Sequence, residues 1–329
     1  MTRELSPKCT AQRIAISEST RGRASMPISD SRDTPAHALP DQVGGDQFHL
    51  AGARTVIATM HGKERVIAPL LAEALGLDCV VPRAFDTDRF GTFSREIERT
   101  GSQLDAARAK IAAAFEHVPH ARVAVASEGS FGPHPQIPFV PIGREIVVMK
   151  DRVSGLELIG HYAGLSTNFG HAVVTDLTGA SAFAERARFP GHGVIVMGCV
   201  DQQPAPRCAL IKGIDAWAEL QRAIEEVITI CGAAFVETDM RAHRNPTRMR
   251  AIKRATLDLV RRFRSLCPIC ARPGFAITKR LSGLPCSWCG GPTLALKADV
   301  YSCEGCGYRE ERAVKAATAD PGQCGECNP

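Results

Sequence analysis

Eight cysteines between Cys267 and Cys327 fall into four clips of one design: Cys267-Pro-Ile-Cys270, Cys286-Ser-Trp-Cys289, Cys303-Glu-Gly-Cys306 and Cys324-Gly-Glu-Cys327. Two thiolates separated by two residues can both reach one tetrahedral cation at about 2.3 Å, so each clip is half of a structural zinc site. Four clips make two Cys₄ sites, and the first of the gaps between clips, 15 residues, matches ribbon spacing closely. Disulfides are the competing use of such cysteines. No secretory leader opens the chain at Met1-Thr-Arg-Glu-Leu-Ser6, which favours metal in a reducing, cytoplasmic setting. The spacing leaves the pairing open: first clip with second and third with fourth, or interleaved.

A second set of residues has chemistry of a different kind. Thr59-Met-His-Gly-Lys63 joins a short apolar strand to a helix, and backbone N–H groups at a helix start favour anions. Lys63 adds a point charge and Thr59 a hydroxyl, although the glycine spacing is not that of a P-loop. Glu128, in Ser127-Glu-Gly-Ser130, follows the apolar run Arg122–Ser127, where ligands gather at the carboxyl ends of strands. With Asp86 or Asp88 from another loop, Glu128 is placed to hold Mg²⁺ against phosphate oxygens. The alanine-rich helix expected over 102–115 carries Arg108 and Lys110, of which Arg108 is assigned to phosphate.

The elements that must position these groups read as follows. Residues 1–52 are rich in Ser, Arg, Pro, Asp and Gly, with too little apolar surface to offset ordering entropy, and are expected to be disordered. Helices alternate with apolar strands from 53 to 240, which predicts an α/β domain with a mixed sheet and flanking helices. Residues 241–266 read as a basic linking helix, with Asn245 as N-cap and Pro246 at its first position. Residues 267–329 form a small double zinc-ribbon module. The five cysteines outside it, Cys9, Cys79, Cys199, Cys208 and Cys231, show no paired spacing and read as ordinary core or surface residues. No apolar run approaches the roughly 20 residues that span a bilayer, so no membrane partner is expected.

Strand, threonine, lysine-bearing turn and helix, then a Gly-Thr-Phe loop, an alanine-rich basic helix and strand-Glu-Gly, together resemble the Maf and inosine-triphosphatase-like pyrophosphatases over residues 54 to about 200. That resemblance implies an elongated α/β fold and Mg²⁺-dependent cleavage of non-standard nucleoside triphosphates. It makes Thr59 and Lys63 a phosphate-binding turn and Glu128 the acidic residue. The sequence departs from the pattern at Asp105, where asparagine is usual, and at His61, again in place of asparagine. The whole chain, including Glu237-Thr-Asp-Met-Arg-Ala-His243 and the clips, also resembles a bacterial family known only as a domain of unknown function.

Two further readings need weighing. Leu284-Pro-Cys-Ser-Trp-Cys289 is similar to half of a zinc-deaminase motif, but the His-x-Glu half is absent and four thiolates leave no coordination position for water. A non-enzymatic protein gripping nucleic acid or a protein partner is the alternative to phosphoryl chemistry on a small phosphorylated molecule. Arg248, Arg250, Lys253, Arg254, Arg261, Arg262 and Arg264 face a single Asp258 on one helix, an electrostatic footprint for phosphates. The ribbon contributes little to it: residues 267–329 hold seven Lys/Arg and six Asp/Glu, and each Cys₄ zinc site adds roughly −2. Glu237, Asp239 and His243 are placed either to complete a metal site or to pair with these arginines.

Overall fold

The computed structural model of the chain describes residues 46–82, 85 and 101–329. Of the segment 1–52 expected to be disordered, residues 1–45 lie outside the described residues, as do Asp86 and Asp88, whereas 46–52 correct that expectation: Asp46–Phe48 form a 3-10 turn, and Phe48 and Leu50 are buried in the core. A first sheet is built from β1 (Arg54–Ala58), β2 (Asp78–Val80), β3 (Val123–Pro133), β4 (Pro141–Asp151) and β5 (Glu157–Gly164) in the order β2-β1-β3-β4-β5. The three strands β2, β1 and β3 are parallel, and β3, β4 and β5 are antiparallel. Parallel strands need a crossover, supplied between β1 and β2 by α1 (Glu64–Leu75), which Gly76 ends in the left-handed conformation at φ 67°. The helix α2 (Gln103–His117) starts in a capping box formed by Ser102 and Asp105.

Apolar side chains cover both faces of this sheet. Ile57, Val125, Val147 and Met149 pack with Ile67 and Leu71 of α1 and with Ile252, Ala255 and Leu259 of α5 (Pro246–Arg264). On the opposite face Val56, Ala124, Ala126 and Val148 meet Ala107, Ile111 and Ala114 of α2. The helix read as a linker is thus a layer of the α/β body. It lies so close to β5 that a Cβ on Gly160 would sit 2.2 Å from the Ala255 carbonyl oxygen. Asn245 does cap it, accepting from the Arg248 N–H, and Pro246 opens it.

The run from 165 to 240 adds a second, wholly antiparallel sheet that the sequence reading had not separated from the first. Its strands β6 (His171–Val174), β7 (Val194–Val200), β8 (Gln203–Ile214) and β9 (Ala234–Thr238) lie in the order β6-β9-β7-β8. The helices α3 (Leu177–Arg186) and α4 (Trp217–Cys231) pack on one face of it through Ala180, Phe183, Leu220, Ile224 and Val227. β8 escaped the sequence reading because it opens Gln-Pro-Ala-Pro. An edge strand tolerates those prolines, since half its N–H groups face away from the sheet. Cys208 on β8 and Cys231 at the end of α4 form a disulfide. For these two this corrects the reading as ordinary core or surface residues, since residues 23 apart carry no spacing signal; Cys79 and Cys199 are free.

The chain ends in a third sheet, β10 (Ala276–Ser282), β11 (Leu296–Ser302) and β12 (Arg309–Ala313), antiparallel in that order. Among the described residues no helix is long and apolar enough to cross a membrane.

Candidate functional site

The three strands of the ribbon module decide how the clips pair. Each strand carries the chain from one end of the sheet to the other, so successive clips alternate between ends. Cys267, Cys270, Cys303 and Cys306 gather at one end, and Cys286, Cys289, Cys324 and Cys327 at the other. The pairing is interleaved. Sulfur separations of 3.6 Å for Cys267–Cys306, Cys270–Cys303 and Cys289–Cys324, and 3.9 Å for Cys286–Cys327, match the edge of about 3.8 Å of a tetrahedron with 2.3 Å metal–sulfur bonds.

All four clips close with the same turn. The N–H groups of Ala271, Gly290, Gly307 and Asn328 donate to the carbonyls of Cys267, Cys286, Cys303 and Cys324. Backbone N–H groups of Gly305, Trp288 and Gly291 point at the sulfurs of Cys303, Cys286 and Cys289, a donor set that suits thiolate. Both clusters could hold a metal ion, and the all-sulfur donor set fits zinc. Neither leaves a ligand position for water, so the chemistry they offer is structural.

The other candidate lies where β1 stops. Ala58 pairs with Ala126, after which β3 continues to Pro133, so Ser127 and Glu128 lose their neighbour on that side. The expected loop at Glu128 is therefore strand, with Glu128 opposite Ile146 and only 2% exposed. The turn after β1 fills the vacated place. Lys63 Nζ donates to the Ser127 carbonyl at 2.9 Å, and Thr59, also buried, accepts from the His61 N–H through its hydroxyl.

Alternation along β3 and β4 sends the two carboxylates to opposite faces. Glu128 turns towards α2 and pairs with Lys110. Glu145, opposite Gly129, turns towards α5 and takes Arg248 Nε at 2.7 Å. Gly129 leaves room for this pair: a Cβ would lie 2.5 Å from Glu145 Oε1 and 2.8 Å from Arg248 Nη2, so a side chain there would displace them. Arg248 also donates to the Met240 carbonyl and lies over the Phe131 ring. Gln103 Nε2 donates to the Glu128 and Arg144 carbonyls and pins the start of α2 to the same place.

Three cations thus meet two carboxylates, all buried. Burial, and then the nearby Arg248 guanidinium, lower the Lys63 pKa from 10.5 to about 7, against the opposing pull of Glu128. Removing the Lys63 proton would leave two cations against two anions, so this amine absorbs the charge surplus. Ser127 Oγ and Glu145 Oε2 are buried beside it without a hydrogen-bond partner among the described residues. The arrangement can exchange a proton near neutrality, and it has an excess of positive charge to offer an anion.

Thr59, Lys63 and Glu128 therefore come together, and Arg108 does not join them. Arg108 is half exposed and bonds Glu157 of β5 at 2.6 Å. Lys110, two residues further and so on nearly the opposite side of the helix, reaches the cluster in its place. Sequence reasoning had named Lys110 without choosing it, and had missed Glu145. The basic helix is also less free than its composition implied: Arg262 pairs with Asp258, Arg254 donates to the Tyr162 hydroxyl and Arg264 to the Ala74 carbonyl. Asp239 bonds Arg241, and His243 stacks on His61 at 5.2 Å. Among the described residues, only the two cysteine groups assemble three or more metal-ligating side chains.

Residues 112–329 match the family described as "Domain of unknown function (DUF6671)". The match takes in Glu128, Glu145, Arg248 and every clip, while Thr59, Lys63 and Lys110 precede it. No curated protein matches the chain. With more than half of its residues covered, the chain belongs to this family of unknown function.

Proposed function

We propose that the ion cluster past the end of β1 binds a small phosphorylated molecule, a nucleotide being the favoured class, and that the protein carries out phosphoryl chemistry on it. The observation that supports this reading most is the surplus buried cation, centred on an amine with a pKa of about 7. A phosphate dianion entering beside Lys63 would restore its proton, because an opposite charge nearby favours the ammonium form. Lys63 would then neutralise phosphate oxygens and exchange a proton with the reacting group. Glu128 keeps Lys110 oriented, and Glu145 does the same for Arg248. Each described carboxylate of the cluster is committed to a cation, an arrangement that does not fit a Mg²⁺ site, so no step is assigned to that metal.

Calorimetry in buffers of different ionisation enthalpy tests the binding step. Inorganic phosphate or a nucleoside triphosphate should be bound with uptake of a proton between about pH 7 and 10, and Lys63→Met should remove that uptake. Phosphate release across a panel of nucleoside triphosphates should be lost in Lys63→Met and strongly reduced in Glu128→Gln. Turnover that is unchanged in both variants would overturn the reading.

A further inference from the structure

The ribbon module meets the body beside the end of α5. There the Gly274 N–H donates to the Arg262 carbonyl and the Phe275 N–H to the Ser265 carbonyl. Beyond this anchor β10 and α5 diverge, leaving an open groove of about 680 Å³ lined on one side by Phe275–Arg280 and on the other by Asp258, Arg261, Arg262 and Ser265. β10 is an edge strand with β11 as its one sheet neighbour. Apart from an irregularity between Ile277 and Lys279, where the register to β11 slips, alternate backbone N–H and C=O groups point away from the sheet, a template for another strand. The run Ala276–Arg280 spans roughly 17 Å at about 3.3 Å per residue, enough to pair with a short extended segment.

The charge of the groove selects among occupants. Arg262 is bound to Asp258, and Arg280 lies 3.6 Å from Asp299. Arg261 and Lys279 are exposed and have no ion pair among the described residues. A cationic edge repels a basic strand, makes pairing with a neutral one costly because Arg261 and Lys279 would lose water without gaining a partner, and admits an acidic one. Single-stranded nucleic acid would share the charge but needs aromatic faces for its bases. The groove's half-buried ring, Tyr301, already has Arg312 over it at 4.3 Å, and Phe275 is buried.

We propose that β10 captures an acidic, extended peptide segment of a protein partner by strand addition, with Arg261 and Lys279 reading its carboxylates. Main-chain hydrogen bonds to the strand edge supply affinity in this mode, and the flanking side chains supply selectivity. The proposal stands independently of the ion cluster near Lys63.

The test uses the full, zinc-loaded chain and a fluorescent peptide of alternating glutamate and valine. Anisotropy should show saturable, salt-sensitive binding, weakened roughly tenfold or more by the double reversal Arg261→Glu and Lys279→Glu. Hydrogen exchange should show protection of amides 276–280 on binding. The same peptide carrying N-methyl groups on alternate residues keeps its charge but cannot pair with an edge, and should fail to bind. Equal binding of the methylated peptide, no binding of either, or tighter binding of a single-stranded oligonucleotide at the same groove would overturn the proposal.

Discussion

The α/β body and the ribbon module both bury charge, and they neutralise it in opposite ways. In the body, Glu128 and Glu145 meet Lys110 and Arg248 from helices on either face of the first sheet, and the remaining cation is accommodated by lowering the pKa of Lys63. Those side chains sit between apolar layers packed on both faces of the sheet. In the ribbon, by contrast, the buried apolar cluster is Cys267, Phe275 and Cys303, so the ligands are themselves much of the core. A dication bound at each Cys₄ group would balance its thiolates from outside the chain. In the body the charged groups are added to an apolar core; in the ribbon the ligand side chains are part of the core.

Metal removal should break this comparison open most widely. Elemental analysis is expected to find two zinc ions per chain. Binding of structural zinc is worth on the order of 10 kcal/mol per site, so chelation should remove amide protection throughout 267–329 while the body keeps a cooperative melt. Cys286→Ser should lose the metal shared with Cys324 and Cys327 and retain the one at Cys303. Loss of both ions at once, or loss of order at Cys303, would contradict two independent ends of one sheet.

Breaking one partner of a buried ion pair leaves the other uncompensated and costs about 3–5 kcal/mol. Arg248→Met, at a side chain only 2% exposed, should therefore lower unfolding free energy in denaturant by that amount. Adding Glu145→Leu should recover much of the loss, because no orphaned carboxylate then remains. Equal destabilisation by single and double variants would mean that Arg248 acts chiefly through its bond to the Met240 carbonyl.

These contrasts also show what the sequence could reveal. Cys-x-x-Cys clips are local, so both zinc half-sites were visible. Their interleaving depends on three strands separating four clips, which is a property of the sheet and not of the spacing. Lys110 had a local signature as well: its helical neighbours three and four residues away are Ala106, Ala107, Ala113 and Ala114, a small-residue face that only a close-packed surface requires. Arg108 stood out merely as a charge. Glu145 gave no such sign, since its partner is 103 residues away and the apolar run that follows it announces only a strand. Glu128 was recognisable as an acid after a buried run, but the continuation of β3 depends on β4 pairing alongside it.

The titration of Lys63 sharpens the comparison with a smaller effect. Below about pH 7 the amine is charged in both folded and unfolded states, and the full cost of burying it is present. Between about 7 and 10.5 the unfolded chain binds more protons than the folded one, so this group makes stability rise with pH. Lys63→Met should raise Tm at pH 7 and flatten that rise. A pH dependence identical to the parent chain would show that Lys63 is neutralised by a group other than its own deprotonation.

The smallest expected effect concerns the joint between the two sheets of the body. Asn245 is fully buried and accepts from the Arg248 N–H at 2.9 Å, fixing the first turn of α5. Its side-chain amide donates to Asn168 Oδ1 at 2.8 Å and to the Asp239 carbonyl at 3.1 Å, both on the second sheet's side. An N-cap alone is worth about 1 kcal/mol, with an upper range near 2, and the two added bonds place Asn245→Ala at that upper end. Asn245→Ser separates the contributions, because serine retains a cap acceptor, loses the amide donors and adds no buried charge. A loss in Asn245→Ser as large as in Asn245→Ala would assign the residue to joining the sheets; a negligible loss would assign it to starting the helix that carries Arg248.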